Sequence, residues 1–155
     1  MSATTNTATN NTSKQIFSKV LVAIEGSEKS MNAVEYSICI SEKYHAQLYA
    51  SNVIRVDPDL FISAEMPDYI VEMKNESQKY LDKVKLKARK KTIQIKTEII
   101  ASLNVAGGIV EYAKNKKINL IVIGTRGISG FKKLLIGSVA SGVITYAHCP
   151  VLVVK

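Results

Sequence analysis

No apolar run in these 155 residues approaches the roughly 20 needed to cross a bilayer as a helix, which excludes an ordinary helical span. Histidine and cysteine occur only twice each. His45 and His148 have no serine, cysteine or carboxylate at a suggestive spacing, so neither is assigned as a catalytic base. Cys39 and Cys149 lie inside apolar patterns without metal-type spacing, which argues against zinc and predicts buried free thiols. Seven tyrosines are scattered along the chain and suggest no platform for stacking the bases of a single strand. The first 13 residues have no large apolar side chain after the initial methionine and no arginine. Residues 1–15 are therefore expected to be a disordered tail rather than a targeting segment, with cytoplasmic residence the default.

What remains, 16–155, has room for one domain and one core. Hydrophobic residues make up 46% and charged residues 22%, ordinary values for a globular protein, and the formal charge is +8. Charge alone does not choose between nucleic acid, an anionic ligand and a solvated surface. In the run Lys83–Lys91, Val84 and Ala88 continue an apolar stripe while Lys79, Lys83, Lys87 and Lys90 share an outer face. A solvated helix is the expectation there, with no nucleic-acid or membrane partner.

From Lys19 onward short apolar runs alternate with longer amphipathic segments, the βαβ rhythm of a parallel sheet covered on both faces. The expected strands are 19–24, 47–54, 93–100, 119–124 and 151–154. The helices between them carry stripes of Met31, Val34 and Ile38, then Ile70, Met73, Tyr80, Val84 and Ala88. A third begins at Asn104, a good N-cap, with Val105, Ile109 and Tyr112. The fourth begins near Ser138 with Val139, Val143, Ile144 and Ala147. The longest connection, from Arg55 to Pro67, reads as a loop beside a site.

Ile93, Ile95, Thr97 and Ile99 alternate with polar residues and suit an edge strand, whereas Val20–Ile24 and Leu120–Ile123 are apolar on both faces and belong in the centre. Val151–Val154 is also apolar on both faces. At an edge it would invite a partner, so a homodimer paired through this strand is expected.

The stretch from Gly124 to Ser138 follows an apolar strand and leads into a helix, the position at which open α/β sheets bind ligands. Glycines let backbone approach a ligand closely, and the free N–H groups of a helix start attract phosphate. Arg126, Lys132 and Lys133 are unopposed, because no acid occurs between Asn119 and Lys155. The plainer account is that Gly124 only ends a strand, Gly137 and Ser138 only cap a helix, and the cations are solvated. The spacing fits neither the Walker form nor GxGxxG, so a P-loop hydrolase or a Rossmann dehydrogenase is not supported.

Gly124-x2-Gly127-x9-Gly137-Ser138 resembles the GxxGx9G[S/T] ATP-binding pattern of universal stress proteins, and Gly-Phe-Lys-Lys-Leu-Leu-Ile-Gly-Ser-Val-Ala within it is similar to that family's wording. Lys19-Val-Leu-Val-Ala-Ile-Glu-Gly-Ser-Glu-Lys-Ser30 resembles the family's opening strand and turn, and His148-Cys-Pro-Val-Leu-Val-Val154 its closing strand. The resemblance runs from Ser18 to Lys155. It implies a three-layer α/β fold, an open twisted parallel five-stranded sheet in the order 3-2-1-4-5 with helices on both faces, like the adenine nucleotide alpha hydrolases.

By position it implies that Gly124, Arg126, Gly127, Gly137, Ser138 and Val139 surround ribose and phosphates, and that Val53 packs on adenine. Ala23 and Ile24 line the base pocket, and Ile123 is a further nucleotide-binding residue. Glu25 stands where the family usually has an aspartate that holds ribose or a metal, and its extra methylene shifts any Mg²⁺ it coordinates. Its plainer role is to answer the dipole of the following helix. Asn52 stands where many relatives carry histidine. The implied function is an ATP-, ADP- or AMP-binding module that acts in stress response or signalling through its dimer. The alternatives are a slow ATP hydrolase on the same site and a partner-binding domain without nucleotide. Beyond Glu25, no acid or histidine falls in the motif segments to orient an attacking water.

Overall fold

Each apolar run of the sequence becomes a strand, and the amphipathic stretches between them become helices that cross back over the sheet. The computed structural model describes residues 15–61, 67–125 and 136–155. In chain order these are β1 (Lys19–Ala23), α1 (Glu28–Tyr44), β2 (Gln47–Arg55), a 3₁₀ turn (Pro58–Phe61), α2 (Asp68–Lys90), β3 (Ile95–Ser102), α3 (Val105–Asn115), β4 (Leu120–Gly124), α4 (Ser138–Tyr146) and β5 (Val151–Val154). Among the described residues the strands form one parallel sheet in the order β3-β2-β1-β4-β5. None of the described helices is long and apolar enough to cross a membrane.

Side chains alternate across each strand, so the sheet has two apolar faces to cover. Val20, Val22, Leu48 and Ala50 pack under α1 and α2. Leu21, Ala23, Tyr49 and Ile121 pack under α3 and α4. The central strands β1 and β4 are buried throughout apart from Lys19, while β3 at one edge alternates between half-buried and exposed. The short β5 closes the other edge, paired with β4 alone, and Val151, Leu152 and Val153 remain half-exposed.

Several expectations shift. β3 begins two residues late because Thr92 takes a positive φ of 59° and the Ile93 N–H returns to the Ala88 carbonyl at 3.0 Å, so Ile93 belongs to the end of α2's turn. Met73 is exposed, and the buried stripe of α2 runs through Ile70, Ser77, Leu81, Val84 and Ala88 instead. Ile144 is exposed on α4, where Ala140 and Val143 turn inward. Both cysteines are free, but Cys39 lies on the outer face of α1 and Cys149 is half-buried, not the buried pair expected. His45 closes α1 in the left-handed region, with φ 52°. The His148 ring meets the Ile118 carbonyl at 3.0 Å and ties the entry to β4. The expected tail lies outside the described residues except for Gln15, whose side-chain amide donates to the Tyr44 carbonyl at 2.6 Å.

Candidate functional site

β1 and β4 are neighbours whose following connections leave toward opposite sides of the sheet, which opens a crevice beyond their carboxyl ends. On the β1 side the chain turns sharply. The Ile24 N–H donates to the Ser51 carbonyl at 2.9 Å, and Gly26 takes φ +87°, a region costly for any residue with a Cβ. Ser27 then caps α1, its oxygen accepting from the Ser30 N–H at 3.1 Å while its hydroxyl donates to Glu25 Oε1 at 2.7 Å. The Ser30 hydroxyl donates to the Ser27 carbonyl at 2.8 Å. Burial pushes the Glu25 carboxyl above its ordinary value, and the Ser27 hydrogen bond offsets only part of that rise.

On the β4 side, Gly124 packs closely against α1: a Cβ there would lie 3.1 Å from the Lys29 carbonyl oxygen in the helix's first turn, tighter than an ordinary contact. The Thr125 N–H donates to the Val154 carbonyl, and the Gly137 N–H donates to the Thr125 carbonyl, both at 2.8 Å. These bonds close the stem of the glycine-rich stretch and occupy the Gly137 amide. α4 then starts at Ser138 with Gly137 as its N-cap, a residue with no side chain to satisfy the first-turn amides. α1 and α3 differ here, because Ser27 caps the first and the Asn104 side chain accepts from the Gly107 N–H of the second at 2.8 Å.

Between these edges lies a cavity of about 300 Å³. One wall is apolar, formed by Ala23, Val53, Ile123 and, from α3, Val105 and Ile109. The other end is polar, with Glu25, Ser30, Thr125 and the first turn of α4 from Gly137 to Ala140. An apolar cleft with a few convergent polar groups is the usual form of a small-molecule site, and this volume is at the small end of the customary range of about 300–1,000 Å³. Among the described residues, Glu25 is the one titratable side chain in its lining.

Of the residues expected at the site, Ala23, Ile24, Glu25, Val53, Ile123, Gly124, Gly137, Ser138 and Val139 meet around this cavity. Arg126 and Gly127 lie outside the described residues, as do Lys132 and Lys133. Sequence reasoning missed Ser30, Thr125 and Ala140, and took Val105 and Ile109 only as core. Thr125 was legible as the residue between Gly124 and the loop. Ser30 carried no signal, because a serine in a first helical turn is commonplace.

Residues 17–155 match the model of the universal stress protein family. The chain is 39% identical to universal stress protein MJ0531 of Methanocaldococcus jannaschii, covering 92% of this chain and 84% of that one. It is 34% identical to universal stress protein YxiE of Bacillus subtilis, covering 90% and 100%. Among solved structures, a universal stress protein in complex with cAMP superposes with a TM-score of 0.73 at 21% identity, covering 90% of this chain and 98% of that one. The universal stress protein of Archaeoglobus fulgidus in complex with dAMP gives 0.68 at 19%, covering 90% and 99%. A family protein from Arabidopsis thaliana with AMP bound gives 0.65 at 18%, covering 89% and 91%.

Proposed function

The chain belongs to the universal stress protein family, and from that premise we propose that it is a cytoplasmic adenine-nucleotide-binding module, taking ATP, ADP or AMP in the cavity between β1 and β4. The observation that carries this reading is the open start of α4. Ser138, Val139 and Ala140 line the cavity with no capping side chain at Gly137, directly across from an apolar wall. Unpaired amides at a helix start favour an anion, and the apolar wall favours a flat base. Phosphates would meet Ser138 and the amides beyond it, with Arg126 and Gly127 completing the loop. Adenine would pack on Val53, Val105 and Ile109, and Glu25 would accept from the ribose hydroxyls. The cAMP, dAMP and AMP complexes of proteins with this fold support the ligand class.

Mg²⁺ fits this reading only as a companion of phosphate. Mg²⁺ usually takes one or two carboxylates plus phosphate oxygens, and Glu25 supplies one hard oxygen ligand. The module would act in stress response or signalling as a homodimer paired through β5. The half-exposed apolar edge of that strand supports the pairing, together with Ile144 and Tyr146 exposed on the helix packed against it.

The test is to release and identify small molecules from purified protein, then to titrate ATP, AMP and cAMP with and without Mg²⁺. Submillimolar binding of at least one is expected. No binding at millimolar nucleotide would favour a partner-binding domain. Phosphate release faster than about one per second, an ordinary enzyme rate, would make the protein a hydrolase instead.

A further inference from the structure

The face of the sheet turned away from the cavity carries a polar thread that ligand contact does not explain. Successive residues of β2 point to opposite faces, so Val53 lines the cavity while Asn52 faces α2. Asn52 is 7% exposed and Ser77 of α2 is 4% exposed. The Ser77 hydroxyl reaches the Asn52 side-chain carbonyl at 2.8 Å, and the Asn52 amide donates to the Ile24 carbonyl at 2.9 Å. The same hydroxyl lies 2.7 Å from the Met73 carbonyl of its own helix. Burying two polar side chains is costly unless both are satisfied, and here they satisfy each other on the way to one backbone atom.

That atom belongs to the residue before Glu25. With its N–H held by Ser51 and its carbonyl by Asn52, Ile24 is fixed on both polar groups. Beyond Glu25, Gly26 sits against the ring of Tyr80, one turn along α2 from Ser77. The turn that presents Glu25 to the cavity is thus held on both sides from the opposite face of the sheet.

We infer that Asn52 and Ser77 are positioning residues for the nucleotide site, acting through the Ile24 carbonyl to set where Glu25 stands and touching no ligand themselves. The inference rests on the nucleotide reading of the cavity. The competing account is a packing pair that merely fastens α2 to the sheet. The two accounts differ in what a variant moves.

Asn52→Leu keeps the bulk and removes both bonds. In the full chain without ligand, amide exchange at Glu25 and Gly26 is expected to quicken about tenfold, the scale of one lost buried hydrogen bond, while α3 and β4 stay protected. Adenosine and AMP should then weaken by the same factor, because the ribose end of the site moves and the phosphate end does not. Added to Glu25→Gln, Asn52→Leu should cost no further affinity, since its effect passes through that carboxylate. Asn52→His, which again offers one donor and one acceptor, should restore binding. Ser77→Ala should shift the same readouts less, and it decides the matter if Asn52→Leu does not fold.

Unchanged exchange at Glu25 and Gly26 overturns the inference, as does protection lost evenly along α2 and the sheet. A further affinity loss in the Glu25→Gln background overturns it too. If the wild-type chain binds neither adenosine nor AMP, the nucleotide reading falls, and Asn52 and Ser77 then have no ligand site to position, whereas the exchange result still reports whether they hold the turn.

Discussion

Glu25 gives up water on folding and, among the described residues, recovers the Ser27 hydroxyl, so the folded chain keeps this proton to a higher pH than the unfolded chain does. Below about pH 4 both states are protonated and the site costs nothing. As pH rises the unfolded state ionises first, so stability falls until the folded carboxyl has also ionised. Glu25→Gln should therefore be more stable than the parent at pH 7, with the gap closing toward pH 4, as urea midpoints across that range would show. The same variant should bind adenosine more weakly. Gly26 is constrained differently. A Cβ at that position would overlap the Tyr80 ring on a backbone already at φ +87°, so Gly26→Ala should cost about 2 kcal/mol or more in chemical denaturation. Glu25 was visible in the sequence because it sits in a recognisable turn. Ser77 was not, since a serine interrupts the apolar period that reveals a buried stripe.

Helix starts separate the three helices around the cavity. α1 and α3 begin with side chains that accept from their own first turns, whereas α4 begins after a glycine that offers no capping side chain, and its first turn lines the cavity. Ser138→Ala should leave the fold intact and weaken AMP about tenfold while adenosine is unchanged, because a hydrogen bond to a charged group is lost and the neutral ligand never made it. Paired calorimetric titrations would check that split. Most elements were legible from period and length, and Asn104 was legible as a cap. The start of β3 was not, because the positive φ of Thr92 extends the exit from α2 through Ile93, and apolar alternation looks the same on either side of that turn.

Across the whole molecule, strand apolarity separated centre from edge, while the full order 3-2-1-4-5 came from the family resemblance. β1 and β4 have two buried faces and stand in the centre, while the alternation of β3 marks an edge. β5 is the exception, apolar yet at an edge, and light scattering at tens of micromolar should give twice the chain mass of 17.0 kDa. A monomer there would remove the basis for pairing through β5.

The cavity draws its apolar wall from β1, β2, β4 and α3 and its polar end from the β1 turn, the residue after β4 and the start of α4, so no contiguous part of the chain contains it. Every strand pairing in the sheet is parallel and joins segments far apart in the chain, a topology that forms slowly. A partly assembled sheet with its helices already formed would still lack one side of the site. A ligand that needs this cavity would therefore bind only chains in which β1, β2, α3, β4 and α4 are already assembled, and would draw chains out of the half-folded pool as its concentration rises above its dissociation constant.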